Sequence, residues 1–448
     1  MVDKYQKKMW KTRIKSFPTL YLLANSLSWF TITLFIIEDF VKTLALNELF
    51  LVSGFYFAGL IGSAVIGATL LNGRSKNKTF LFSWILFGVV ACLLFSLGAT
   101  TSLTGLTAAL LILGASIGLG IPTCFSFFAD QTKAENRGRI GALMFFIVQL
   151  FAAILIFSTD GVAINYQFLI LAIWRLLGVV GIFFYKPLPK MSEERVILIK
   201  SIVKERTFLL YFLPWFLFTL VNFTESPIIQ TYFGPVLYNN SLLVETLINS
   251  VAAFIGGALC DYKGRKITAI LGFVLLGLGY AILSFFNSGS YKEIAQFLYI
   301  VCDGVAWGIL YVTFIFVLWG DLSDGKTREK YYLLGSLPFL FSGMIEMLVQ
   351  PFVKSDVIST AFSLASFFLF IAIVPLLYAT ETLPEKAMKD RDLKSYLEKA
   401  QKIAQKETEK KQKKESTNTS EDSEESEVEQ EENDEKYVEA QKLAEKYY

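Results

Sequence analysis

Twelve long apolar runs follow one another along most of this 448-residue chain. A helix that crosses a bilayer needs about 20 mostly apolar residues, and each run is close to that length. The runs lie at 17–39, 48–71, 79–98, 104–128, 140–158, 163–185, 207–232, 242–260, 266–286, 294–319, 331–352 and 357–379. The connections between them are too short for a soluble domain. We therefore predict an all-α integral membrane protein with 12 transmembrane helices.

Composition narrows the chemistry that such a protein can carry. The chain contains no His, which excludes a His-based metal site, a His general base and a Ser-His-Asp triad. Four cysteines stand in apolar runs without metal-ligand spacing and are predicted to be small buried hydrophobes: Cys92, Cys124, Cys260 and Cys302. We predict no enzyme activity, no cofactor, no metal and no nucleic-acid partner.

Lysine and arginine are distributed unequally between the two sets of connections. The even-numbered connections (72–79, 130–140, 186–206, 261–267 and 321–330) hold 18 Lys and Arg, and the odd-numbered ones hold only three. Basic residues concentrate on the cytoplasmic side of membrane proteins. The sequence thus predicts that both termini and the 186–206 loop face the cytoplasm. We expect the protein to lie in the cell membrane. Residues 1–16 add six basic residues, either as part of this bias or as a short helix on anionic lipid.

The two halves of the chain carry related sequences. An acid ends the fourth run, an arginine follows seven residues later, and a second basic residue stands two positions further on; the tenth run ends in the same way. The two copies are Asp130, Arg137 and Arg139, and Asp321, Arg328 and Lys330. Glycines recur at matching places in the two runs, Gly114 and Gly118 against Gly304 and Gly308. This indicates a two-fold repeat of six spans plus six in parallel orientation.

A third motif follows the eighth run, where residues 257–266 read GALCDYKGRK. Its members are Gly257, Asp261, Gly264, Arg265 and Lys266. The same place in the first half, residues 70–78, keeps the glycine and the basic residues but has no acid.

These motifs resemble those of the major facilitator superfamily, whose signature G-x-x-x-D-[RK]-x-G-R-[RK] is matched at 257–266 except at Tyr262. The resemblance covers about 17–386. It implies two pseudo-symmetric six-helix bundles around a central cavity, transport by alternating access, and a cytoplasmic gate. The implied gate residues are Asp130, Arg137, Arg139, Gly257, Asp261, Gly264, Arg265, Asp321 and Arg328. The alternative is that these residues only mark topology at helix ends.

The corresponding domains are a basic N-terminal segment, an N-terminal bundle, a linker, a C-terminal bundle and a charged tail: 1–16, 17–185, 186–206, 207–383 and 384–448. Residues 386–414 of the tail hold 11 basic and five acidic residues with apolar side chains at helical spacing. Residues 415–435 hold 11 acids and are predicted to be disordered. A short second helix is expected at 437–448.

Ionisable side chains inside a membrane span are costly and mark functional sites by default. Four occur well inside the runs: Arg175, Glu225, Asp303 and Glu346. The resemblance also implies that spans 1, 4, 7 and 10 face the cavity, and three of these carry further polar or aromatic residues at helical spacing: Asn25 and Trp29, Asn222, and Trp307. We predict that these eight residues form the substrate and coupling cavity. The alternative for the Asn residues is hydrogen bonding between helices.

Burial favours the neutral form of a carboxyl group, and a neighbouring acid favours it further. The three acids therefore predict proton coupling and slightly favour a cationic or neutral substrate, whereas Arg175 argues for an anionic group or neutralises one acid. Our prediction is a monomeric secondary transporter in the lipid bilayer that moves a small solute, coupled to protons. The alternatives are a membrane sensor of the same fold that binds a ligand without transport, and a polytopic membrane enzyme.

Overall fold

The computed structural model describes residues 2–71, 77–184, 199–325, 327–353 and 358–384, together with seven positions between 393 and 406. The chain divides into two compact units, Met1–Pro384 and Glu385–Tyr448. The described positions of the second unit are helical. The predicted acidic stretch and the second tail helix lie outside the described residues.

Within the described residues, the first unit holds twelve helical spans that are long and apolar enough to cross a membrane. Spans 1–6 are Leu20–Val41, Leu46–Thr69, Lys78–Ser96, Leu103–Gln131, Ala134–Thr159 and Ile164–Phe184. Spans 7–12 are Arg206–Phe233, Pro235–Lys263, Arg265–Phe285, Lys292–Asp321, Arg328–Phe352 and Ile358–Tyr378. The predicted all-α membrane fold is confirmed, with most span ends within a few residues of the expected positions. The described residues contain no β-strand.

Several helices differ in extent from their spans. The first helix runs from Val2 to Val41 without a break and contains Pro18, so the predicted N-terminal segment continues directly into span 1. The α-helix of span 5 begins at Arg137, after a short 3₁₀ turn, Ala134–Asn136. A single helical turn, Ile199–Ile202, precedes span 7.

Spans 4 and 10 are both irregular in their interior. Span 4 consists of two helices, Leu103–Gly118 and Ile121–Gln131, and the second begins with Pro122 in its first turn. The Trp84 indole donates to the Ser116 carbonyl at 2.7 Å, which satisfies a backbone oxygen next to the break. Span 10 contains a π-helical segment, Val312–Val317, where the Tyr332 hydroxyl donates to the Phe316 carbonyl at 2.8 Å. Irregular backbone inside a membrane span is tolerated where protein groups satisfy it.

The repeated glycines allow close contacts between helices in each half. A β-carbon built on Gly118 would lie 1.9 Å from the Leu60 carbonyl oxygen, and one on Gly114 would lie 2.1 Å from that of Tyr56. In the second half, a β-carbon on Gly308 would lie 2.4 Å from the Asn249 carbonyl oxygen. Spans 4 and 10 thus pack backbone to backbone on spans 2 and 8, as small residues allow in membrane helices. The six-plus-six repeat therefore sets matching packing in the two bundles.

Candidate functional site

Two arginines from opposite halves of the chain meet one carboxylate at the end of the protein that holds the even-numbered connections, here called the basic end. Arg137 of span 5 donates a hydrogen bond to Asp321, the last residue of span 10. Arg265 of span 9 donates from Nε to the other oxygen of Asp321 at 2.7 Å. All three side chains are at most 5% exposed. Asp321 therefore links the first bundle to the second through a buried ion network.

A second pair lies beside the first, between Arg328 and Asp130. Their side chains are 15% and 10% exposed. Asp130 and Arg137 belong to one copy of the sequence repeat, and Asp321 and Arg328 belong to the other. The acid of each copy thus bonds the arginine of the opposite copy, so both pairs join the two bundles.

Asp261 makes a third connection, between spans 8 and 5. Its carboxylate accepts hydrogen bonds from the backbone N–H groups of Gly138 and Arg139 at 2.9 and 3.0 Å, and from Nε of Arg139 at 3.1 Å. A carboxylate stabilises the unsatisfied N–H groups and the positive end of a helix N-terminus. Tyr262, which departs from the family pattern, accepts a hydrogen bond from Arg139 at 3.3 Å. The acid of the second-half motif therefore caps a helix of the first bundle.

The same crossing has no space for side chains. A β-carbon on Gly138 would lie 2.4 Å from the Gly257 carbonyl oxygen, and one on Gly257 would lie 2.4 Å from that of Gly138. The predicted gate glycine Gly257 thus allows spans 5 and 8 to approach through their backbones.

Replacing Gly138 by Ala tests this contact. We expect the variant to unfold at a lower temperature than the wild type, because neither backbone can move away without breaking the bonds to Asp261. Gly54→Ala is the matched control, since a β-carbon there meets no atom within 4 Å and Ala favours a helix by about 1 kcal/mol over Gly. Thermal unfolding of both purified variants in one detergent measures the difference. Equal midpoints would show that the close crossing does not matter for stability.

Gly264 holds the turn between spans 8 and 9 and has φ of +103°, a backbone conformation that favours glycine. The Glu381 carboxylate lies over this turn and accepts from the backbone N–H groups of Arg265 and Lys266 at 2.8 and 3.1 Å. Glu381 was not among the gate residues predicted from the sequence. The signal for it was weak, because an acid just after the last span is also what a solvated helix end contains.

An aromatic layer lies next to these ion pairs. Phe125 of span 4 stacks on Tyr332 of span 11 at 5.6 Å, and both Phe125 and Phe128 contact Phe316 of span 10 edge to face at 5.8 and 5.1 Å. All four rings are buried. This layer could not be predicted from the sequence because Phe occurs 41 times in the chain, so no single Phe was distinctive. The basic end is closed by ion pairs and by apolar packing together.

The second bundle contains buried acids near its interior. Glu225 of span 7 and Asp303 of span 10 are each 5% exposed. Within the described residues, Oε2 of Glu225 and Oδ1 of Asp303 have no hydrogen-bond partner, and no Lys or Arg forms an ion pair with either acid. The fully buried Tyr280 lies close enough to both acids to interact with them electrostatically. Such uncompensated carboxyls are stable in this environment chiefly in their neutral form.

The remaining second-half residues lie nearby at the boundary between helices. Trp307 donates from its indole to the Asn222 side-chain oxygen at 3.2 Å, which joins spans 10 and 7. Glu346 of span 11 accepts from Ser226 of span 7 at 3.0 Å. Glu38 of span 1 lies close enough to Glu346 to interact with it electrostatically. Polar side chains of span 7 therefore form hydrogen bonds with spans 10 and 11.

The first-half residues form a separate cluster inside the first bundle. Asn25 is fully buried and donates to the Trp174 carbonyl at 2.7 Å, so its amide bonds span 6. Arg175 is fully buried, with its guanidinium carbon 4.7 Å from the ring of Trp29. No ion pair joins Arg175 to an acid within the described residues. The eight predicted cavity residues thus lie in two groups, one in each bundle. Within the described residues, Arg175 does not form an ion pair with Glu225, Asp303 or Glu346. Among the residues that the structure describes, no group of three or more Cys, Asp or Glu is arranged to hold a metal ion.

A family model described as the Major Facilitator Superfamily matches residues 19–318, about two thirds of the chain. The chain belongs to the major facilitator superfamily. Members of this superfamily are membrane transporters built from two parallel six-helix repeats, so the chain is a multi-pass membrane protein of a transporter family. The predicted resemblance is confirmed.

Solved structures of the superfamily share the fold at low sequence identity. The fucose:proton symporter of Escherichia coli matches with a TM-score of 0.62 and 14% identity over 82% of this chain and 97% of its own. The human organic anion transporter TETRAN matches with a TM-score of 0.60 and 14% identity, over 82% and 99%. A bacterial homologue of the iron transporter ferroportin, in its outward-facing state, matches with a TM-score of 0.64 and 13% identity, over 82% and 98%. A search of the curated proteins returned no significant match.

Proposed function

We propose that this protein is a secondary active transporter that moves a small solute by alternating access, coupled to protons. The observation that carries the proposal is the closed basic end, where the acid and the arginine of each repeat bond across the two bundles. Ion pairs that join two bundles at one end stabilise the state in which that end is closed. Breaking them lets the protein open there, so the pairs bias a two-state equilibrium.

The proposed orientation puts the basic end in the cytoplasm, with both termini there and the protein in the cell membrane. The excess of Lys and Arg in the even-numbered connections supports this. The bundles at 17–185 and 207–383 are proposed to move as two bodies joined by the 186–206 linker, in a monomer. In this orientation the structure is the state closed to the cytoplasm.

Proton coupling is proposed to use Glu225 and Asp303, with Glu346 as a third carboxyl. The burial of Glu225 and Asp303, and the unpartnered oxygen that each has among the described residues, support the proposal, because a carboxyl group in an apolar site binds a proton readily and releases it when water reaches it. Access of water from opposite sides in the two states would then couple proton movement to the solute. Among the solved relatives, the one from Escherichia coli is described as a fucose:proton symporter.

Reconstitution into liposomes tests the proposed function. We expect the purified protein to accumulate a labelled solute from a panel of sugars, organic acids and amines when an inward proton gradient is imposed. Collapse of the gradient with a protonophore should abolish the accumulation but leave exchange intact. Uptake that ignores both the pH gradient and the membrane potential would contradict coupling. A solute that raises the unfolding temperature but never crosses the bilayer would favour the sensor alternative.

A further inference from the structure

Arg175 stands in the interior of the first bundle among uncharged groups. It is fully buried, near the middle of span 6. Its Nη1 atom donates to the Ser26 hydroxyl at 2.7 Å. The ring of Trp84 lies 4.1 Å from its guanidinium carbon and that of Trp29 lies 4.7 Å away. These contacts stabilise a cation but leave its charge uncompensated.

The free donors of Arg175 form one particular edge of the guanidinium. Within the described residues, Nε and Nη2 have no hydrogen-bond partner, whereas Nη1 is bonded to Ser26. The N–H bonds of Nε and Nη2 are parallel along one edge of the planar guanidinium. This geometry binds the two oxygens of a carboxylate side by side. An arginine at the middle of a membrane costs several kcal/mol even with partial solvation. The unpaired edge offers two parallel donors that an anion could satisfy.

A helix N-terminus adds to the positive potential at the same place. The helix Ile121–Gln131 starts at the break in span 4, and no side chain caps its first turn. A β-carbon on Gly120 would lie 2.2 Å from the Trp84 ring, the same ring that contacts Arg175. The buried Thr123 hydroxyl in this first turn has no partner among the described residues. In transporters with broken helices, half-helix N-termini point at anionic groups of the substrate.

Gly88 of span 3 completes the site. A β-carbon at Gly88 would lie 3.0 Å from Nε of Arg175 and 3.1 Å from the Trp29 ring. The lack of a side chain there lets span 3 approach the guanidinium and the Trp29 ring closely. Alanine at this position would crowd the free Nε.

We propose that Arg175, Trp29, Trp84, Gly88 and the first turn of helix Ile121–Gln131, together the arginine cage, bind the carboxylate of a small organic acid as the transported solute. The proposal rests on the transport function proposed above and names its substrate class. Trp29 of span 1 covers the guanidinium, so the solute reaches the cage when span 1 or the short helix of span 4 moves. Proton uptake by the acids of the second bundle would then accompany the anion.

A structural role and a binding role of Arg175 predict different effects of Arg175→Met on the stability of the protein without ligand. If the arginine only supports packing, Arg175→Met lowers the unfolding temperature of the protein without ligand. If it is kept for an anion, removal of its uncompensated charge leaves the stability without ligand equal or higher, because functional groups are often kept at a cost in stability.

Ligand-dependent unfolding of the purified protein tests the cage without requiring transport. The probes are the sodium salts of acetate, lactate, succinate and benzoate, with the matching amides and sodium phosphate at equal ionic strength. We expect at least one carboxylate to raise the unfolding midpoint by about 2 °C or more at saturation and to change tryptophan fluorescence, while its amide does neither. Arg175→Met should abolish this response without lowering the midpoint in the absence of ligand. Gly88→Ala should weaken apparent binding about tenfold or more, and Gly62→Ala, where a β-carbon meets nothing within 4 Å, should not.

Four results would overturn the proposal. They are the absence of any carboxylate response in the wild type, a response that survives in Arg175→Met, a response to phosphate alone, and a loss of ligand-free stability in Arg175→Met. If Arg175→Met does not fold, an undiminished response of Gly88→Ala overturns it as well. If a carboxylate binds but does not cross the liposome membrane, the binding site is supported and the transport function is refuted. Failure of the binding site can therefore be distinguished from failure of the proposed function.

Discussion

Replacing Asp321 by Ala is expected to open the basic end. Asp321 is buried and holds Arg137 of one bundle and Arg265 of the other, so its loss leaves two buried arginines without their shared carboxylate. Breaking a buried ion pair by removal of one partner costs about 3–5 kcal/mol. The cost applies only to the closed state, since water reaches both arginines once the end opens. A shift of this size changes the ratio of closed to open molecules by roughly 100-fold or more.

Spin labels at Lys133 and Lys263 would report this shift. Both residues are exposed at the basic end, one on each bundle, and the native cysteines are replaced by Ser in all samples. Double electron–electron resonance should show a longer distance in Asp321→Ala than in the parent. Asp324→Ala is the matched control, because Asp324 is an exposed acid three residues further along the same connection. Asp321→Asn retains the shape of the side chain if Asp321→Ala does not fold. Unchanged distances in both Asp321 variants would show that the ion network does not hold the basic end closed and that its residues only mark topology.

Replacing Asp303 by Asn is expected to uncouple transport from protons. Asn resembles the neutral, protonated form of the buried acid, so the variant cannot release and rebind a proton at this position. Accumulation of solute under an inward proton gradient should fall about tenfold or more, whereas exchange of labelled for unlabelled solute should continue. Exchange should also lose its dependence on pH, because the carboxyl no longer changes charge.

Glu293→Gln is the control for this experiment. Glu293 is an exposed acid in the first turn of the same span, and the substitution removes a carboxylate without touching the buried cluster. Both variants are compared in liposomes at equal amounts of incorporated protein. If Asp303→Asn still accumulates solute as the parent does, Asp303 does not carry the coupled proton.

Much of the membrane fold follows from local sequence patterns. Apolar runs of about 20 residues define spans because the bilayer core demands that length. Accordingly, span 9 was expected at 266–286 and is found at Arg265–Phe285. The repeat was also visible locally, since Asp130 and Asp321 end corresponding spans and are followed by arginines at the same spacing.

Partners across the bundle interface could not be predicted in this way. The spacing within one copy pointed to the acid and the arginine as gate residues but did not identify their partners. In the structure, Arg137 bonds Asp321, 184 residues away, and Arg328 bonds Asp130. This choice depends on how two bundles related by a pseudo-two-fold axis meet, and that geometry is not encoded in any short segment.

By itself, the sequence determined the twelve spans, the repeat and the identity of the polar groups inside the membrane. Hydrophobic transfer and backbone hydrogen bonding act on contiguous residues, so their consequences can be read along the chain. Only the tertiary structure decided which polar groups meet. It left Arg175 among tryptophans rather than beside Glu225 or Asp303, because packing of separate helices, not their sequence spacing, sets distances across a bundle. That separation allows the two bundles to carry different charges, a cation in the first and carboxyl groups in the second.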